Sequence, residues 1–146
     1  MGKGVLALDE KLMASYLKTE YQIINYDLTI TIKAGEQNPD LLEYLQRHKY
    51  RNWAFITAWN PYSTSLALQI NQERNKRLTK LLENNNLFYM VGLGVDPEGK
   101  WMSEESYLVF NIGKLNALNL AKKFEQNAIL YGNLKRPPEL LITDSV

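Results

Sequence analysis

The residues best suited to chemistry gather in a few short stretches. Glu104 and Glu105, with Asp96 upstream, offer carboxylates for proton transfer or for a hard metal ion. Adjacent side chains of an extended segment point to opposite faces, so Glu104 and Glu105 do not form a pair, and loop solvation accounts for them equally well. Ser106 is a candidate nucleophile. The single histidine, His48, sits elsewhere, in QRHKYR at the end of an expected helix, where the macrodipole favours positive charge. GLGVDPEG has the glycines of a phosphate loop but neither its lysine arrangement nor a helix directly after it. Trp59, Tyr62 and Trp101 could stack on a planar ligand such as a base, or serve as core or lid. Lys76, Arg77, Lys80, Lys122 and Lys123 read as solvated helix faces. No catalytic constellation stands out, and no cofactor is implied.

The elements that must position these residues follow from periodicity. Residues 10–19 read as a helix capped by Asp9, with Leu12, Met13, Tyr16 and Leu17 on one face. Residues 21–33 alternate, which predicts one half-buried antiparallel strand with Ile24, Tyr26, Leu28, Ile30 and Ile32 inward and Asn25, Asp27, Thr29, Thr31 and Lys33 outward. A turn at AGEQNP leads into a helix over 40–49. Strands are expected at 53–59, 87–95, 106–112 and 128–132, and helices at 65–85 and 115–125. Gly92 and Gly94 suggest a bulge or a close backbone approach. ELLIT is a candidate final edge strand.

From residue 53 to 132 the order is strand, helix, strand, strand, helix, strand. This predicts an α+β fold: a ferredoxin-like βαββαβ core with an N-terminal helix-strand-helix extension, a mostly antiparallel sheet, and helices largely on one face. A mixed sheet with helices on both faces is the alternative. That topology brings the ends of 53–59 and 87–95 to the same edge as the starts of 106–112 and 128–132. WNPYSTS, DPEGKW, SEES and EQN converge there, on loops carried by a rigid sheet. The apolar stripe of Leu78, Leu81 and Leu82, run backward at helical periodicity, takes in Asn71, Arg74 and Asn75. The inward face of that helix therefore turns polar near the converging loops. Either it overhangs into water, or those amides and the guanidinium meet partners.

Composition bounds the rest. A chain of 146 residues fits one domain, residues 1–146, able to bury roughly 70% of the surface of its unfolded form. Hydrophobic residues make up 45%, charged residues 23%, and the net charge is +1, so no strong field draws nucleic acid or anionic lipid. The absence of cysteine removes disulfides, zinc-thiolate sites and a cysteine nucleophile, and fits a reducing compartment. MGKGVLALDE lacks the apolar run and cleavage site of a signal peptide, and no stretch approaches the ~20 apolar residues of a membrane span. A soluble, cytoplasmic protein is expected.

The stretches TAWNP…N…RN…L, DPEGKW…E.S and FEQNAILYG resemble a bacterial family without assigned activity, domain of unknown function 3293. The resemblance covers roughly residues 50 to 132. It is carried by Thr57, Asn60, Pro61, Asn71, Asn75, Asp96, Trp101, Glu104, Ser106, Gln126 and Ala128. Glu105 stands where the family pattern has proline, and Glu125 where it has glycine, which touches the loop before Ser106 and a helix C-cap. The resemblance implies an intact domain and supplies no reaction.

Three functions remain in order. The first is a non-catalytic pocket at one sheet edge for a polar or nucleotide-like small molecule, lined by Asn60, Asn71, Arg74, Asn75, Trp101, Glu104, Ser106 and Gln126. The second is a protein-interaction module whose polar edge is structural. The third is a carboxylate-dependent enzyme using Glu104 or Asp96. A concave edge favours the first, and a flat apolar face on the 21–33 strand the second.

Overall fold

The computed structural model describes residues 10–143. In chain order they form α1 (Glu10–Lys18), β1 (Glu20–Ile24), β2 (Thr29–Ile32), α2 (Pro39–His48), β3 (Asn52–Ile56), a 3-10 turn (Pro61–Ser63), α3 (Leu68–Asn84), β4 (Tyr89–Val95), β5 (Glu104–Phe110), α4 (Lys114–Lys123), β6 (Ala128–Asn133) and β7 (Glu139–Ile142). The expected cap Asp9 lies outside the described residues.

The strands make one sheet in the order β2-β1-β4-β5-β3-β6-β7, with every neighbouring pair antiparallel. The fold is thus α+β with an antiparallel sheet. β3 is internal, between β5 and β6, and β7 supplies the edge strand expected from ELLIT.

Alternation along each strand divides the interior into two layers. On one face, Ala54, Ile56, Tyr107, Val109 and Ile129 pack against Leu78 and Leu82 of α3 and Leu118 and Ala121 of α4. Leu78 and Leu82 are fully buried, each worth about 1.5–3 kcal/mol of burial. On the other face, Tyr21, Ile23, Ile32, Trp53, Phe55, Leu108 and Leu130 pack against Leu41, Tyr44 and Leu45 of α2. α3 and α4 share one face and α2 covers the other, so the helices do not lie largely on one face as expected; the sheet is apolar on both sides, and each side needs its own cover. α2 starts where Asn38 Oδ1 accepts the Leu41 amide and Pro39 takes the first turn.

A second expectation is overturned. Residues 21–33 form not a single strand but the hairpin β1–β2, in which Tyr21 lies opposite Ile32 and Ile24 opposite Thr29. Asn25 makes the turn: its Oδ1 accepts the Asp27 and Leu28 amides, and its own amide donates to the Leu28 carbonyl. The turn shifts parity between the strands. The inward residues are Tyr21 and Ile23 on β1 and Leu28, Ile30 and Ile32 on the return, while Ile24 and Tyr26 are exposed. Thr29 and Thr31 do face outward. β1 crosses β4 closely at Gly92, where a Cβ would meet Ile23 Cδ1 at 2.7 Å and the Gln22 carbonyl at 2.8 Å.

Candidate functional site

β3 ends at Ile56, and the chain then leaves the sheet at Thr57 to Asn60. This turn is built on left-handed backbone: φ is +45° at Asn60, +51° at Tyr62 and +61° at Ser63. Asparagine tolerates that region; tyrosine and serine do so only when held. The holding is dense. The Tyr62 amide donates to the Glu125 carbonyl at 2.7 Å, and the Ser63 amide to the Asn60 carbonyl at 2.9 Å. Asn71 Oδ1 accepts the Asn60 amide at 2.8 Å, and Asn71 Nδ2 donates to Asn60 Oδ1 at 2.7 Å and to the Leu66 carbonyl. Asn60 Oδ1 also accepts the Leu66 amide at 3.0 Å.

One turn further along α3, Arg74 and Asn75 brace the same segment. Asn75 Oδ1 accepts the Ala58 amide at 2.9 Å, and its Nδ2 donates to the Glu105 carbonyl at 2.8 Å. Arg74 donates to the Ala58 and Phe124 carbonyls, both at 2.7 Å, and pairs with Glu125 at 3.4 Å. Thr57 Oγ1 donates to the Glu105 carbonyl at 2.7 Å. Gln126 Nε2 donates to the Trp59 and Phe124 carbonyls, both at 3.1 Å. α3 therefore does not overhang. Asn71 and Asn75 are buried, and their amides replace backbone partners that the turn lacks.

Beside this turn, on the α2 face of the sheet but beyond α2 itself, lies a cavity of about 650 Å³. That size suits a small molecule. Phe55, Tyr21 and Gly94 come from the sheet, Ser15, Tyr16 and Thr19 from α1 and the residue after it, Ser65 and Leu66 from the link to α3, and Trp101 and Met102 from the loop before β5. Of the eight residues proposed from the sequence, Asn60, Asn71, Trp101, Glu104, Ser106 and Gln126 line the cavity. Arg74 and Asn75 do not; they hold its rim from the α3 side.

Glu104 and Ser106 reach the cavity because both stand on the same face of β5, while Glu105 points the other way. Glu104 Oε2 accepts from Asn60 Nδ2 at 3.1 Å. Burial pushes the Glu104 carboxyl above the ordinary carboxylate range, and the Asn60 hydrogen bond only partly offsets this. Ser106 Oγ donates to the Glu104 carbonyl at 2.9 Å. His48 stacks on Tyr44 and Tyr50 and is not in the cavity wall, so Ser106 has no imidazole beside it. Asp96 accepts the Glu98 and Lys100 amides and closes its own loop. Among the described residues no three His, Cys, Asp or Glu side chains converge as metal ligands, and no helix is long and apolar enough to cross a membrane.

Sequence reasoning left Tyr16, Tyr21 and Phe55 out of the site, although each lines the cavity. Tyr21 and Phe55 look like ordinary inward strand residues. Tyr16 belongs to a helix whose place over the cavity is fixed by long-range polar contacts: Tyr16 Oη to Ser63 Oγ at 2.8 Å, and Trp101 Nε1 to Ser15 Oγ at 3.3 Å. No local signal announces them.

No curated protein and no solved structure matches the chain. The model of a family described as "Protein of unknown function (DUF3293)" matches residues 56–129, from the end of β3 into β6. That span contains the braced turn, all of α3 and the β5 carboxylate, and the chain belongs to this family.

Proposed function

We propose that this protein is a binding module that takes a polar small molecule, nucleotide-like in size, in the cavity beside the Thr57–Asn60 turn. One observation carries the reading: a cavity of about 650 Å³ abuts a turn whose strained backbone is fixed by amides from α3. Strain of this kind persists where the surroundings over-determine it, and it gathers at ligand clamps. Asn60, Asn71, Trp101, Glu104, Ser106 and Gln126 form the wall, and Arg74 and Asn75 keep it in place. We also infer a ferredoxin-like core. The order β4-β5-β3-β6, with α3 and α4 on one face, supports it. Binding without catalysis fits the one carboxylate that the described residues bring to the wall and a serine already donating to backbone.

The three tryptophans make the test. Trp59 and Trp101 line the cavity, and Trp53 is buried in the α2 layer. Proton–nitrogen correlation spectra recorded against a library of small polar and aromatic fragments should shift the Trp59 and Trp101 indole signals and leave Trp53 still. Native mass spectrometry of the purified chain should show a co-purified mass.

The second reading, a protein-interaction surface, rests on Ile24, Val91 and Leu93. They are exposed on one sheet face, since Gln22 lies opposite Leu93. Shifts confined to β1 and β4, with both cavity indoles silent, would favour it.

A further inference from the structure

We propose that the occupant of the cavity is an organic cation: an amine or ammonium group seated on Glu104, carried on a planar or apolar body held among the aromatic walls. This rests on the cavity reading above and narrows it to one chemical class.

Charge comes first. Among the described residues, Glu104 carries the single formal charge in the cavity wall, and no lysine or arginine stands with it. Arg74, on the neighbouring helix, is engaged by two backbone carbonyls and Glu125 instead. An anionic ligand would meet a carboxylate without a counter-charge, and it would pay for losing its own hydration as well.

Hydrogen-bonding capacity comes second. The donors of the wall amides are already directed inward, to protein partners. Asn71 Nδ2 serves Asn60 and Leu66, Asn60 Nδ2 serves Glu104 Oε2, and Gln126 Nε2 serves two carbonyls. Among the described residues, Glu104 Oε1 and Gln126 Oε1 receive no hydrogen bond. The part of the wall around Glu104 and Gln126 therefore offers acceptors, and the complementary ligand brings donors to it.

The remaining wall completes the match. Tyr16, Tyr21, Phe55, Trp59 and Trp101 border the same space. Aromatic side chains attract cations through the negative faces of their rings, most strongly where water is excluded. Burial also raises the Glu104 carboxyl, so the ionised form is costly in the empty protein, and a cation is the partner that relieves that cost.

The experiment uses one shape in three charge states: tryptamine, its neutral alcohol tryptophol, and indole-3-acetate. Calorimetric titration at neutral pH should rank tryptamine tighter than tryptophol by at least about tenfold, with indole-3-acetate weakest. In Glu104→Gln the amide oxygen can still accept from Asn60, and the tryptamine preference should collapse to about twofold. Choline against 3,3-dimethylbutan-1-ol repeats the comparison without an aromatic ligand. Equal or tighter binding of the neutral or anionic members overturns the assignment, as does a preference that survives Glu104→Gln. The wild-type series decides even if the variant folds poorly. If no cation binds while fragments still move Trp59 and Trp101, the cation assignment fails and the cavity reading stands. Silence of both indoles toward every fragment removes the cavity reading itself.

Discussion

Asn71 grips Asn60 at two points: its Oδ1 accepts the Asn60 amide at 2.8 Å, and its Nδ2 donates to Asn60 Oδ1 at 2.7 Å. One buried helix side chain thereby fixes both the backbone and the side chain of a residue at φ +45°. Asn60 Nδ2, oriented in this way, reaches Glu104 across the cavity wall. Helix, turn and strand are linked through a single pair.

That link predicts non-additive energetics. Asn71→Ala leaves the Asn60 amide without its partner and should cost about 1–3 kcal/mol in denaturant unfolding. Asn60→Ala should cost a similar amount. The double variant should lose clearly less than the sum, because each change removes the same bonds. Strictly additive losses would mean that the pair does not act as a unit.

Asn75 differs from the cavity residues, and the difference is measurable. Its partners are the Ala58 amide and the Glu105 carbonyl, and it does not line the cavity. Asn75→Ala should cost about 1–3 kcal/mol of stability while leaving the ligand affinity of the folded fraction nearly unchanged. Gln126→Ala should lower both, since Gln126 braces Trp59 and also borders the cavity.

Glu104 predicts a pH dependence of definite sign. Burial raises its folded carboxyl above the ordinary value of 4.5, so the folded state holds this proton more tightly than the unfolded state does. Its contribution to stability is therefore fully present below about 4.5 and is lost as pH rises through the folded value. Glu104→Gln removes this slope. In the empty protein, the melting temperature of the variant relative to wild type should climb as pH is raised from acid to neutral. A gap that is flat or narrowing with pH would contradict the buried, costly carboxylate.

The hairpin gives the sharpest separation between what alternation can and cannot tell. Ile23 is fully buried and Ile24 is 70% exposed. Ile23→Asp and Ile30→Asp should unfold or severely destabilise the protein, because a charge is buried without a partner. Ile24→Asp and Thr29→Asp should each cost little. Equal damage from Ile23→Asp and Ile24→Asp, compared by thermal melting, would restore a different register.

This contrast also shows why parts of the molecule were legible and others not. Period-two alternation survives a parity shift if the turn between two strands is itself made of alternating types. Asn25, Tyr26 and Asp27 are such a turn, and only the capacity of Asn25 to bond its neighbours' amides betrays it. The α3 stripe was legible because a helix repeats its inward face, so Leu78 and Leu82 announce Asn71 and Asn75. The meeting of Asn60, Glu104 and Gln126 followed from strand order alone. The rest of the aromatic wall did not: Tyr21 and Phe55 look like ordinary inward strand residues, and Tyr16 depends on where α1 settles, which long-range side-chain contacts decide. Glu125, standing where the family pattern has glycine, falls at a left-handed residue after α4, φ +60°. Glu125→Gly should stabilise by about 0.5–1 kcal/mol, less the small share of its exposed pairing with Arg74.

The way α1 is held yields the last prediction. None of its residues is buried, and polar contacts tie it to the body: Ser15 to Trp101, Tyr16 to Ser63, and the exposed pair Lys18–Glu98 at 3.7 Å. Such ties yield at little cost, so α1 should open far more often than the β3–β5 centre of the sheet. Opening removes Tyr16 and Thr19 from the cavity wall and dissolves the site. A ligand that needs the closed wall must then slow hydrogen exchange in α1 by the factor by which it fills the site, about a hundredfold at a concentration one hundred times its Kd. Amides of α2, outside the cavity wall, should change only if they exchange through global unfolding. Exchange measured with saturating tryptamine should therefore show protection concentrated in residues 12–19. Uniform protection across the sheet with none in α1 would mean that the helix forms no part of the binding site.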